Sequence, residues 1–139
     1  MQKLLPFLVL ACTAVHIAPA SEQPGNHVDL TTAILAFMSR TELCLNACRD
    51  AESLKAAVPQ LKELKAECDK LASIQRALPE PTIQDYMAVQ KHMATFNTIW
   101  KAIRTHIERL EEEKIMSQEV RDILFIAPPD ADTATPHIQ

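Results

Sequence analysis

The sequence is poor in glycine and in aromatic residues. It has one glycine, Gly25, one tryptophan and one tyrosine, and aromatic residues make up 4% of its 139 residues. Tight β-hairpins and phosphate-binding loops both need glycine, because their backbones adopt conformations that other residues rarely adopt. The scarcity therefore argues against a hairpin-rich sheet and against a glycine-cradled phosphate site.

The sequence also lacks the motifs of common catalytic and cofactor sites. It contains no H-E-x-x-H, P-loop, G-x-S-x-G or C-x-x-C-H motif. No paired carboxylates are expected in the core, since Glu80 and Asp85 fall at a predicted helix start. The formal net charge is −4 and no basic stripe is visible, which argues against nucleic-acid binding. We therefore expect a protein that is not an enzyme, with no catalytic residue and no cofactor.

Residues 1–20 have the features of a secretory signal peptide. Lys3 supplies the positive start, residues 4–15 are mostly apolar, and Ala18-Pro19-Ala20 is a small-residue cleavage site. The apolar run is too short and too broken for a membrane span. An alternative is a bacterial lipoprotein signal with a lipid anchor at Cys12. The sequence thus predicts a secreted or periplasmic protein, or one that is anchored to a membrane through Cys12.

The most regular feature of the chain is an apolar stripe between residues 82 and 115. Its steps of three and four residues, without glycine or proline, predict one helix of about 34 residues and about 50 Å. Trp100 is then expected in the core, level with residue 60, and His92 and His106 flank the stripe as surface residues. The stripe consists of Tyr86, Val89, Met93, Phe96, Trp100, Ile103, Ile107 and Leu110.

Two further helices precede this one. The first is expected to begin at the capping residue Asp29 and to end before a turn at residues 50–53. The second continues through Pro59, which is expected to bend it, to the break at Pro79-Glu80-Pro81. An alternative extends the first helix to Ala57 and starts the second at Pro59, where proline suits a first helical position.

A short fourth helix is expected after Ser117, from residue 118 to about residue 126. The fold class is therefore all-α. Its architecture is an antiparallel three-helix bundle, or a helical hairpin plus a long third helix, with a short fourth C-terminal helix. The predicted domains are a signal peptide at 1–20, a flexible leader at 21–28, a helical bundle at 29–126 and a disordered tail at 127–139.

The segment from Asp50 to Leu64 fits the pattern D-x-x-S-x-x-A-A-x-P-x-L-K-x-L. In this it resembles small secreted bacterial helical proteins of unknown function that carry the pattern between two helices. The similarity covers the first two helices, about half of the chain. It implies a helical hairpin with its turn near Asp50, and it implies no activity.

Three cysteines follow the predicted signal peptide, and two of them suggest a metal site. Cys44 and Cys48 lie one helical turn apart and, with Met38, could bind a soft metal such as Cu(I) or Zn(II). The chain resembles copper-storing helical bundles only in this one C-x-x-x-C pair. The other interpretation is that all three cysteines are small apolar residues of the core.

Cys68 tests the position of the turn. A turn at residues 50–53 places Cys68 about 13 Å along the axis from Cys44 and about 20 Å from Cys48. A disulfide needs Cα atoms within about 7 Å, so Cys68 is predicted to be unpaired within the chain and packed near His92 and Met93. A turn at Val58 would instead place Cys48 opposite Cys68, and the two would bond in an oxidising compartment.

The predicted third helix is about 20 Å longer than the first, so part of its apolar stripe needs another partner. We therefore expect a protein that binds another protein or its own copy in the cell envelope. The alternative function is a soft-metal carrier that uses Cys44 and Cys48. A flexible binding groove is one way to make the protein contact, and its candidate residues are Met38, Met87, Met93, Phe96 and Trp100.

Overall fold

The computed structural model describes residues 23–124. Over this range the chain forms five α-helices and no β-strand, so the predicted all-α class is confirmed. None of these helices is both long and apolar enough to span a membrane. The predicted signal peptide, the anchor site Cys12 and the predicted tail lie outside the described residues. The helices are α1 (His27–Ala47), α2 (Ala51–Ala77), α3 (Ile83–Gln90), α4 (Met93–Glu112) and α5 (Gln118–Leu124).

Helices α1 and α2 form the predicted hairpin, with its turn at residues 48–50. The Ser53 backbone N–H donates to Asp50 Oδ1 at 2.7 Å, and the Asp50 N–H donates to Ser53 Oγ at 3.0 Å. These reciprocal bonds form a capping box and lower the pKa of Asp50, with the Ser53 backbone bond as the largest cause. Pro59 lies inside α2, so the alternative helix break at Pro59 is wrong.

Helix α1 begins three residues earlier than expected. Asn26, not Asp29, is the N-cap, and its side chain accepts the Asp29 backbone N–H at 2.8 Å. Asparagine caps as well as aspartate does, and an acidic residue in the first turn interacts favourably with the helix dipole. His27 and Val28 are therefore helical and do not belong to a flexible leader.

The predicted long third helix is two helices. The His92 N–H donates to Val89 O at 2.9 Å, which tightens the backbone after Gln90, and α4 begins at Met93. Both α3 and α4 pack against α1. The two segments therefore pack on α1 separately: α3 has no buried residue, whereas α4 buries Ile103 and Leu110.

Helix α1 is the centre of the fold. It packs against α2, α3 and α4, and α5 packs against α2. Within the described residues, α2 and α4 share no extensive interface. The innermost side chains of the core are Leu45, Leu54, Leu61, Leu110 and Val120.

This arrangement corrects the prediction for Trp100. The expected position in the core assumed that the third helix packs beside α2. Because α4 packs on α1 instead, the Trp100 side chain is 49% exposed. The buried contacts of α4 come from Ile103 and Leu110.

Arg109 connects α4 to the end of α1. Its Nη2 group donates to Cys48 O at 2.8 Å and to Leu45 O at 3.3 Å. The last carbonyl groups of a helix have no partner inside the helix, and a positive charge there is favourable. Arg109 therefore fixes the packing of α4 on α1 at this end of the molecule.

The predicted short C-terminal helix is α5. Helix α4 ends in a reversal at Lys114, whose φ angle is 57°, and the Ile115 N–H donates to Leu110 O at 2.9 Å. Ser117 then caps α5 as expected, accepting the Val120 N–H at 3.3 Å. Val120 and Ile123 are buried, so α5 completes the core beside α2.

Candidate interaction surface

A groove with a volume of about 270 Å³ lies between the first half of α1 and the α3–α4 segment. Its walls are mainly apolar, and its few polar groups come from both sides. A side chain the size of leucine or an aromatic ring fits such a space. The lining residues are His27, Leu30, Thr31, Ile34, Gln75, Pro81, Asp85, Tyr86, Val89, His92, Met93 and Phe96.

Hydrogen bonds position the groove walls. His27 Nε2 lies 2.7 Å from Pro79 O and ties the start of α1 to the segment after α2. Thr82 and Asp85 form the predicted capping box at the start of α3. The hydrogen bond from the Thr82 side chain is the largest cause of the lowered pKa of Asp85. Asp85 is therefore a fixed negative charge in the groove wall.

Large apolar side chains are exposed next to the groove. We call this area the α3–α4 surface and define it by five residues on the two helices. Single exposed apolar residues are common, but a contiguous patch of several hundred Å² is typical of an interaction site. The five residues are Ile83, Tyr86, Met87, Met93 and Trp100.

The predicted binding groove is partly present. Met93 and Phe96 line the groove, and Met87 and Trp100 are exposed on the same two helices. Met38 is buried in the core and takes no part. Leu30 and Ile34 of α1 also line the groove; this was not predicted, because their spacing is that of ordinary core residues.

Cys44 and Cys48 were expected on one face of a helix, but they do not share one. Cys44 is in α1, but Cys48 follows the helix end with extended backbone angles. Both are buried, and the Cys48 thiol donates to Cys44 O at 3.2 Å. A hydrogen bond with the Cys44 side chain lowers the pKa of the Cys48 thiol, with a smaller effect of Arg109, while burial and Asp50 oppose this.

Within residues 23–124, no three histidine, cysteine, aspartate or glutamate residues lie together in a way that could hold a metal ion. Cys68 forms no disulfide in this range, as predicted. However, it is exposed, so the expected packing near His92 and Met93 is wrong.

His92 and His106 were predicted to be surface residues, but both are half-buried. His92 is half-buried in the groove wall. His106 is also half-buried, and its Nε2 lies 2.8 Å from Glu42 Oε1 on α1. The packing of α4 on α1 explains this pairing, because the sequence alone predicted that His106 lies on the protein surface.

Comparisons with protein-family models, with curated proteins and with solved structures give no significant match.

Proposed function

We propose that the chain is an exported, non-enzymatic interaction protein that binds a protein partner through the α3–α4 surface. The observation that carries the proposal is the exposure of Tyr86, Met87 and Trp100 beside a groove that can receive an apolar side chain. Aromatic residues and methionine are enriched in the centres of protein interfaces. Burying this surface against a partner removes apolar area from water and stabilises the complex.

The packing that leaves Trp100 exposed also supports the proposal. The chain does not cover Trp100 with α2, although the apolar repeat of α4 continues through it. Exposed tryptophan, tyrosine and methionine side chains increase the risk of aggregation, and a regular binding partner removes that risk.

Photo-crosslinking in the cells that make the protein tests this proposal. A photoreactive amino acid is placed at Met87 or at Trp100, and at Leu43 as the control. Leu43 is a suitable control because it is also apolar and exposed but lies on α1, outside the α3–α4 surface. We expect one defined adduct from positions 87 and 100 and none from position 43. Absence of any adduct, or equal adducts from all three positions, would refute the proposal.

The second candidate is a soft-metal carrier that uses Cys44 and Cys48. It is favoured by the position of Cys48 Sγ, 3.2 Å from Cys44 O, and by the lowered pKa of Cys48, because the thiolate is the metal-binding form. Anaerobic titration with Cu(I) or Zn(II) tests it, with the Cys44→Ala/Cys48→Ala protein as the control. Binding that is weaker than micromolar, or that is unchanged in the double variant, would dismiss this candidate.

A further inference from the structure

We infer that the partner at the α3–α4 surface is a second copy of the chain, with Trp100 of each copy inserted into the groove of the other. The inference rests on the proposed function and specifies its occupant. The chain presents both a protruding apolar side chain and a groove of matching size on one surface. A symmetric dimer needs this kind of self-complementary surface.

The spacing along α4 fits a two-fold arrangement. Trp100 lies seven residues beyond Met93 and four beyond Phe96, which line the groove. At a rise of 1.5 Å per residue, these spacings are about 10 Å and about 6 Å. A two-fold axis near Asn97, with the two α4 helices antiparallel, places each Trp100 opposite the other groove.

The charges agree with this orientation. Asp85 is a wall residue of the groove, on α3. Arg104 is exposed one helical turn beyond Trp100, where its only ion pair in the described residues is a 3.6 Å contact with Glu108. The two-fold operation brings Arg104 of one copy level with Gln90, at the end of α3 of the other copy and about 8 Å along that helix from Asp85. Complementary charges at such positions favour one register of association over others.

The amount of apolar surface also suits a dimer of modest affinity. The α3–α4 surface is defined by five exposed large apolar residues, whereas a standard interface of about 800 Å² per partner takes about 20–30 residues from each side. The apolar groove wall and the neighbouring polar residues extend this patch. We therefore expect association in the micromolar range and not an obligate dimer.

The sequence provides its own probe for the experiment, because Trp100 is the only tryptophan. The purified protein, with its N-terminus determined by mass spectrometry, is diluted over the micromolar range. We expect the weight-average mass in sedimentation to fall from two copies to one. Over the same concentrations, the Trp100 emission should shift to longer wavelength, because the indole becomes exposed to water.

Two variants and one control assign the contact. Trp100→Ala removes the inserted side chain, and Met93→Arg places a charge at the groove. Each should weaken dimerisation by at least about tenfold in Kd, a loss of about 1.4 kcal/mol, which is within the range of a central hot-spot contact. Leu43→Arg, which changes an equally exposed residue of α1, should leave the Kd unchanged. Circular dichroism checks the fold of each variant, and Trp100→Gln replaces Trp100→Ala if that variant unfolds.

Mixing the two variants tests the proposed reciprocity. The Trp100→Ala protein keeps its groove, and the Met93→Arg protein keeps its tryptophan, so the mixture restores one of the two contacts. Only the Met93→Arg protein contains tryptophan, so its emission should shift to shorter wavelength when the other variant is added. A mixture that associates no better than either variant alone contradicts the exchange of Trp100 between copies.

The outcomes separate this inference from the proposed function. A protein that is monomeric at all concentrations, but forms adducts with a different chain at positions 87 and 100 in cells, overturns the inference and leaves the proposed function standing. A dimer that both variants leave intact overturns it as well. Absence of self-association together with absence of any adduct overturns both.

Discussion

Replacing Arg109 by methionine should measurably loosen the attachment of α4 to α1. The guanidinium group donates to two carbonyl groups at the end of α1, Leu45 O and Cys48 O. Methionine keeps much of the apolar stem of arginine but has no donor and no charge. The substitution therefore removes the hydrogen bonds while largely preserving the packing of the stem.

The structure allows the cost to be worked out bond by bond. Leu45 O also accepts the Cys48 N–H at 3.2 Å, so it keeps a partner in the variant. Cys48 O loses its 2.8 Å bond to the charged donor. A net hydrogen bond to a charged group contributes about 1.5–3 kcal/mol. The ion pair of Arg109 with Glu113, at 3.4 Å on the surface, adds only a few tenths of a kcal/mol. The free energy of unfolding should therefore fall by about 2 kcal/mol.

Urea unfolding followed by circular dichroism measures this loss, with Arg104→Met as the matched control. Arg104 is on the same helix and also pairs with a glutamate four residues later, but its side chain is 64% exposed. The control should change stability by less than about 0.5 kcal/mol. If both variants lose the same small amount, the contact between Arg109 and the end of α1 does not stabilise the fold.

Three further substitutions test other parts of the structure. Asp50→Asn removes a carboxylate whose pKa is lowered from 3.8 in the folded protein. The charged carboxylate therefore stabilises the fold above pH 3.8, and this contribution is lost as the pH falls through the lowered pKa. The variant should therefore be less stable than the wild type at neutral pH, and the difference should shrink as the pH falls below 3.8, which urea unfolding over this pH range will show. Leu110→Ala empties a fully buried site and should cost about 2–5 kcal/mol; a loss below about 1 kcal/mol in the same assay would contradict the core assignment. Lys114→Gly relieves a left-handed backbone conformation and should raise the thermal midpoint with a gain of about 1 kcal/mol, whereas Lys101→Gly inside α4 should cost about the same amount.

Short-range signals in the sequence predicted the starts of α2, α3 and α5 well. The capping boxes at Asp50 and at Thr82 depend on residues three positions apart, so their chemistry is complete within the local sequence. The in-phase apolar pattern across Pro59 likewise predicted that α2 continues through the proline. The start of α1 was missed because Asn26 and Asp29 are both good caps, and the sequence does not rank them.

Long-range packing was predicted less well. Nothing in the sequence around residues 91–92 marks the end of α3, since neither glycine nor proline is present there. The half-buried state of His106 and its contact with Glu42 depend on the position of α4 beside α1. A residue pattern reports which face of a helix is apolar, but it does not report which neighbouring helix covers that face.

Helix α4 shows how this ambiguity relates to the candidate site. Two lines of apolar residues run along it, each with a spacing of seven. The first line, Phe96, Ile103 and Leu110, packs into the core. The second line contains Met93 and Trp100, which are exposed, so packing within the chain satisfies one line and leaves the start of the other uncovered. The sequence pattern therefore predicted that both lines are buried along their whole length, although the start of the second line is exposed within the described residues. The position where this prediction of burial was wrong is also the position where the chain has apolar surface available for a second molecule.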